Sequence, residues 1–273
     1  MAERIQQGEV EGIRVGRFPF RINTTCILYR LGSTVIDTGP PNQWRAVRRF
    51  LQEREVRQVL ITHHHEDHSG NLAAIRRDLG VAVYSPAASL EPLARGFPLR
   101  PYQRLVWGRP EPVHAEAVAE RVDIAPGRTL LTLPSPGHSA DMTCYLDPER
   151  GWLFAGDLYI SGRTRYLRQD EDLRTEMETL RRTLAYDFDT LFCSHRGIVS
   201  PGKEALRRKL AGLESLCERV AHHRREGRGP EEIQRILLGR EDLMTWVTGF
   251  HFSKRNLIAG CFAEAEPAPV QKR

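Results

Sequence analysis

Lysine is the first scarcity. Of 40 basic residues only Lys203, Lys209, Lys254 and Lys272 are lysines, so arginine carries the formal net charge of +5. The arginines are scattered among acids and form no single basic run. Nucleic-acid binding is therefore permitted by charge without being indicated by it. Long apolar runs are also missing: none reaches the roughly 18–20 residues that span a bilayer. The opening Met1-Ala2-Glu3-Arg4-Ile5-Gln6-Gln7 has no apolar signal region, so a cytoplasmic chain with no membrane partner is the expectation. Cysteine is sparse, with Cys26, Cys144, Cys193, Cys217 and Cys261 and no CxxC pair. An odd count among apolar neighbours reads as five free thiols in a reducing compartment.

What is present is ordinary globular composition. The 273 residues are 40% hydrophobic and 27% charged, which suits one large domain or a domain with an appendage. Alternating strand and helix signals run through the first 200 residues. Strands are expected over 23–31, 34–36, 59–62, 81–84, 129–133, 142–146, 152–155 and 190–193, from β-branched and apolar runs bounded by turn residues. Helices fall between them, with apolar positions in phase at Trp44, Val47, Phe50 and Leu51, across 72–79, and at Leu173, Met177, Leu180 and Leu184. Residues 87–122 are less regular and rich in proline, which marks them as a candidate lid or substrate loop. Phe97, Tyr102 and Trp107 there suit an apolar pocket and surface packing equally. From Pro201 the pattern turns helical, with a long amphipathic stretch over 203–225 and shorter helices at 231, 243–247 and 252–262. The expected division is 1–200 for the sheet-bearing domain, 201–262 for a C-terminal helical region, and 263–273 for a disordered tail.

One turn concentrates unusual chemistry. Thr62-His63-His64-His65-Glu66-Asp67-His68 follows the apolar Val59-Leu60-Ile61. Imidazole and carboxylate are the usual ligands of zinc and similar cations, so a metal-dependent hydrolase is the working hypothesis. Other strand ends supply more such groups: Val35-Ile36 delivers Asp37, Leu131-Thr132-Leu133 delivers His138, Leu153-Phe154-Ala155-Gly156 delivers Asp157, and Leu191-Phe192-Cys193-Ser194 delivers His195. Polar groups projecting from one rim of a sheet are where open α/β architectures build sites.

His63-x-His65-x-Asp67-His68, His138 in a Pro-Gly-His-Ser turn, Asp157 after Gly156, and His195 together resemble the metallo-β-lactamase-fold hydrolase superfamily, in its glyoxalase II-like and lactamase-like branch. The resemblance spans roughly residues 23 to 200. It implies an α/β (α+β) fold, a four-layer αββα sandwich with a C-terminal helical appendage. It also implies two metals, expected to be zinc, with iron or manganese as alternatives. His63, His65 and His138 resemble the first metal site, Asp67, His68 and His195 the second, and Asp157 the carboxylate between them. Asp37 matches an aspartate that orients a ligand. A hydroxide shared by two cations would be the nucleophile, with Asp67 and Asp157 as the catalytic carboxylates.

The substrate is less legible. The resemblance implies a small-molecule thioester, ester or lactone. Alternatives on the same fold are a metal-dependent endoribonuclease, a mononuclear-iron persulfide dioxygenase-like enzyme, and a ligand-binding regulator. Arg163, Arg165 and Tyr166 after Asp157, with Lys254 and Arg255 in the C-terminal region, are candidate substrate contacts. A homodimer is a base-rate expectation.

Overall fold

The computed structural model describes residues 2–18 and 22–262; the tail expected at 263–273 lies outside the described residues. Two sheets form the centre. The first has seven strands in the order Glu3–Gln7, Val10–Val15, Cys26–Leu31, Thr34–Ile36, Gln58–Leu60, Ala82–Ser85 and Glu116–Ala117. The second has six, in the order Gly197–Val199, Thr190–Cys193, Trp152–Gly156, Thr143–Asp147, Arg128–Pro134 and Arg121–Ala125.

The inner faces of both sheets close one core. Ile27, Tyr29, Leu31, Ile36 and Leu60 of the first sheet meet Leu130, Tyr145, Phe154 and Phe192 of the second. The outer face of the first sheet is covered by helices Trp44–Leu51 and Leu72–Leu79, through Val47, Phe50, Leu51, Leu72 and Ile75. The outer face of the second is covered by Leu173–Thr183, Gly202–Arg225 and Lys254–Phe262, through Met177, Leu180, Leu206, Leu213, Leu257 and Ile258. This is the expected αββα sandwich with C-terminal helices. Among the described residues no helix is long and apolar enough to cross a membrane.

Strand direction explains how distant residues share one rim. Thr34–Ile36, Gln58–Leu60 and Ala82–Ser85 run parallel. In the second sheet Trp152–Gly156 and Thr190–Cys193 run parallel, and Arg128–Pro134 shares their direction through the antiparallel Thr143–Asp147 between them. Asp37, the histidine-rich turn, His138, Asp157 and His195 all follow the C-terminal ends of such strands.

Three expectations need correcting. The cysteines are not all free thiols: Cys217 and Cys261 form a disulfide between two packed helices, with Cα atoms 4.9 Å apart, and only Cys26, Cys144 and Cys193 are free and buried. The proline-rich stretch is more ordered than its composition suggests. It holds helices Leu90–Arg95 and Pro101–Val106, the second with proline at its first turn, where no intrahelical N–H is required. The helix expected from 252 begins at Lys254, because Phe252–Ser253 pairs with Leu167–Arg168 as a small third sheet.

Candidate metal centre

Each imidazole in the cluster is held by one ring nitrogen and aimed by the other. Thr62 donates its hydroxyl to Asp37 Oδ1 (3.0 Å) and accepts from His63 Nδ1 (3.0 Å), so the His63 Nε2 lone pair is free. His68 donates from Nδ1 to Asp37 Oδ2 (2.8 Å). His138 donates from Nδ1 to Glu171 Oε1 (2.6 Å), and His195 from Nδ1 to the Thr25 carbonyl (2.7 Å). Each arrangement fixes the tautomer and presents an Nε2 lone pair. His65 is reversed, with Nδ1 turned inward, 3.1 Å from His138 Nε2.

These lone pairs converge. The ligand atoms of His63, His65 and His138 lie within 4.8 Å of one another, as do those of His63, His68 and Asp157, and those of Cys26, Asp67 and His68. Asp157 sits at the centre. Its Oδ1 is 3.4 Å from His68 Nε2, and its Oδ2 is 3.2 Å from His138 Nε2 and 3.3 Å from His195 Nε2. Asp67 Oδ2 lies 3.4 Å from His195 Nε2 and 3.8 Å from His68 Nε2. His63 Nε2, His68 Nε2 and Asp157 Oδ1 are buried with no hydrogen-bond partner among the described residues. Leaving a buried polar atom unpaired costs about 1–3 kcal/mol. Lone pairs that face each other at such distances repel unless positive charge stands between them, so this donor set fits divalent cations.

The electrostatics divide the histidines. Burial, reinforced by the neighbouring His68 and His138 imidazoles, holds His63 well below the usual imidazole range. Burial and the Arg168 guanidinium do the same to His65. Burial also opposes a proton on His195, but the Asp157 and Asp67 carboxylates outweigh it and push that imidazole up to about 9. His63 and His65 are thus held neutral, the state that ligation requires, whereas His195 would release a proton on binding a cation.

Asp37 has the strictest backbone demand. It is fully buried at φ +62°, in the left-handed region that few non-glycine residues adopt. Four groups hold it: the Thr62 N–H (2.9 Å), the Thr62 hydroxyl, the Ser194 hydroxyl (2.9 Å) and His68. Strain of this kind persists only where the surroundings over-determine it.

His64 and Glu66, the alternate members of the turn, face elsewhere. The His64 N–H and Nδ1 both contact Asp141 Oδ2 at 2.8 Å. Glu66 accepts from Gln103 Nε2 (2.9 Å), and burial with Asp67 beside it pushes its carboxyl up to about 7. A cavity of about 530 Å³ opens beside the cluster, lined by His64, His65, Glu66, Phe97, Arg100 and Arg168 among others. Arg168 is buried, lies 3.2 Å and 3.3 Å from the two His65 ring nitrogens, and donates to Asp170 from Nε (3.0 Å) and Nη2 (2.8 Å). Asp170 also accepts from His251 Nε2 (3.1 Å), whose Nδ1 is 2.5 Å from the Tyr102 hydroxyl. This chain of bonds ties the proline-rich insertion to the C-terminal strand across the cavity mouth. Tyr102→Phe is expected to cost about 1–2 kcal/mol and to speed amide hydrogen exchange over residues 96–107; unchanged exchange there would show that the bond does not hold the insertion.

The sequence-predicted residues thus fall into two groups. His63, His65, Asp67, His68, His138, Asp157, His195 and Asp37 come together. Arg163, Arg165 and Arg255 are exposed, Tyr166 donates to Asp242, and Lys254 donates to the Arg240 carbonyl (2.5 Å); none of these five lines the cavity at the histidines. Sequence reading missed Glu171, Asp141, Arg168, Asp170 and His251, and weighed Tyr102 only as a pocket or packing aromatic. Glu171 and Asp170 stand in an acidic Gln-Asp-Glu-Asp run that could have been flagged; nothing local marks Arg168.

A profile of the metallo-beta-lactamase superfamily matches residues 18–195, more than half of the chain. The chain belongs to the metallo-β-lactamase superfamily. Members of this superfamily are metal-dependent hydrolases. Over 141 residues, 49% of this chain, it is 30% identical to a protein named thioesterase pkgB from Emericella nidulans. Over 196 residues, 67% of this chain, it is 26% identical to a hydroxyacylglutathione hydrolase from Nitrobacter hamburgensis. The matched stretch spans 35% of pkgB and 69% of the Nitrobacter enzyme, so pkgB is far longer than its shared part. A crystal structure of a metallo-beta-lactamase family protein from Thermus thermophilus superposes with TM-score 0.65 and 20% identity, covering 94% of this chain and 91% of that one. That likeness concerns the superfamily fold.

Proposed function

We propose that this metallo-β-lactamase superfamily chain hydrolyses small acyl thioesters with a binuclear zinc centre. The observation that carries the reading is the convergence of seven buried His and Asp side chains into one cluster, whose His65 lines the adjoining cavity. In this reading His63, His65 and His138 would hold one cation and Asp67, His68 and His195 the other, with Asp157 in reach of both groups of histidines. Zinc, when bound, supplies Lewis acidity that brings the pKa of a water near neutrality and polarises an acyl carbonyl.

The chain's own residues do the rest. Asp37 and Glu171 keep His68 and His138 in the tautomer that leaves Nε2 free. Asp67 stands at the cluster to accept a hydrogen bond from the attacking water and orient it. Burial of the rim excludes bulk water from the carboxylates, which strengthens every charge interaction there. In the net reaction water adds its oxygen to the acyl carbon, the carbon–sulfur bond breaks, and the sulfur leaves as a thiol with the second proton. The names of the curated relatives support a thioester over a lactam. The cavity of about 530 Å³, lined by Arg100 and Arg168, supports a small anionic acyl conjugate over an RNA strand.

The test is a substrate panel on zinc-loaded protein: acyl thioesters, lactones, aryl esters, β-lactams and structured RNA. Thioesters are expected to show the highest kcat/KM. Cleavage of RNA with every acyl compound left intact would replace this reading with the endonuclease one.

A further inference from the structure

Helix Pro101–Val106 carries arginines into two neighbouring cavities. Arg100, its N-cap residue, lines the large cavity beside His65. Arg104, one turn on, donates its backbone N–H to the Arg100 carbonyl (3.2 Å) and lines a second cavity of about 220 Å³. Arg95 and Arg109 line that smaller cavity too. Phe97 and Pro98 line both cavities, so the two are separated by a single pair of side chains.

Arg95 pairs with Glu91 at 2.7 Å, but the charge of the other three arginines is not balanced from within. Several buried or half-buried arginines elsewhere in the fold have carboxylate partners, as in Arg30 with Glu11, Arg128 with Asp147 and Arg168 with Asp170. Arg100 has the neutral Gln169 amide at 2.7 Å, and no ion pair joins Arg100, Arg104 or Arg109 to a carboxylate among the described residues. The one acid in the smaller cavity, Glu111, is held by Arg77 at 2.8 Å. Guanidinium groups grouped without counter-charge repel one another, and their planar donor forks match phosphate oxygens. The walls between them, Phe97, Pro98, Leu93 and Pro112, suit an uncharged arm.

Resting on the thioester reading above, we propose that the smaller cavity binds the phosphate of a thioester whose thiol half is a phosphate-terminated pantetheine arm. The phosphate meets Arg104 and Arg109, the arm passes Phe97 and Pro98, and the thioester reaches the histidine cluster. Free coenzyme A and a carrier-protein-bound arm share this chemistry. Hydrolysis gives the carboxylic acid and the free thiol, with the phosphate ester untouched.

The test uses metal-loaded full-length protein and two probes, phosphopantetheine and phosphate-free pantetheine, measured by calorimetry. Wild type is expected to bind phosphopantetheine about tenfold or more tightly than pantetheine, and R104A/R109A is expected to erase that preference. Both arginines are exposed, and an unchanged melting temperature shows the variant folded. Equal binding of the two probes by wild type overturns the proposal. So does a preference that survives in R104A/R109A, which would put the phosphate at the histidine cluster instead. In kinetics the variant should raise KM for acyl-phosphopantetheine with little change in kcat, while the acyl-N-acetylcysteamine thioester, which carries no phosphate, keeps its KM. If neither thioester turns over while the phosphate preference holds, the thioester reading falls and the anion site stands. Tighter binding of coenzyme A than of phosphopantetheine would identify the free nucleotide-bearing thiol as the source.

Discussion

Asp157→Ala is expected to lower thioester hydrolysis by about 10³-fold or more, from a loss of several kcal/mol in the stabilisation of developing charge. The two carboxylate oxygens reach the Nε2 atoms of His68, His138 and His195 at 3.2–3.4 Å, so this one side chain touches both groups of histidines. Without it the mutual repulsion of two cations is uncompensated, and the variant should retain about one metal per chain instead of two. Asp157→Asn keeps the shape and removes the charge, and it should be nearly as inactive. A loss confined to Asp157→Ala would assign the effect to packing. The readouts are kcat/KM and elemental analysis of the same preparation, with circular dichroism to confirm the fold. Activity within tenfold of wild type in both variants would exclude Asp157 from the reaction.

Gly137→Ala should be among the most destabilising single methyl additions near the site. Gly137 has φ +139°, a conformation essentially confined to glycine, and an added Cβ would stand 2.5 Å from Glu176 Cα and 2.6 Å from Glu176 N. Those are backbone atoms of helix Leu173–Thr183, which cannot rotate away as a side chain can. Backbone strain of about 1–3 kcal/mol and overpacking of about 1–3 kcal/mol combine to roughly 2–6 kcal/mol. For a chain of this size that lowers Tm on the order of 10 °C. The next residue is His138, and the Gly137 carbonyl accepts from the Asp172 N–H (2.8 Å) beside Glu171. Shifting this loop therefore also loosens the imidazole that Glu171 holds, and metal affinity should fall with stability. A melting temperature within about 2–3 °C of wild type would show that the helix yields more easily than its contacts imply.

The candidate ligands were legible because strand-end delivery is a local pattern: an apolar run, a turn residue, then His or Asp. The same logic recovered the central strands of both sheets but missed Glu3–Gln7, Val10–Val15, Glu116–Ala117, Arg121–Ala125 and Gly197–Val199. Strand Glu3–Gln7 reads ERIQQ with only Ile5 partly buried, so it lacks the alternation that marks a strand. What sequence could not give are contacts between distant segments. His138 meets Glu171 across 33 residues, His65 meets Arg168 across 103, and Tyr102 meets His251 across 149. The Cys217–Cys261 bridge, 44 residues apart, was missed for the same reason. Basic residues near Asp157 and in the C-terminal helices drew attention as substrate contacts, but position along the chain does not set direction. Lys254 turns to Asp242 and the Arg240 carbonyl, while the arginines at the cavities come from the proline-rich insertion.

The most direct test of the central claim is to strip the protein with a chelator, titrate zinc back, and follow hydrolysis of an acyl-N-acetylcysteamine thioester. The account predicts no turnover in the stripped protein and activity that rises with added zinc to a plateau at two ions per chain. In His63→Ala that plateau should be lost. Turnover that survives metal removal, or a fully reloaded protein that leaves thioesters intact, would contradict it.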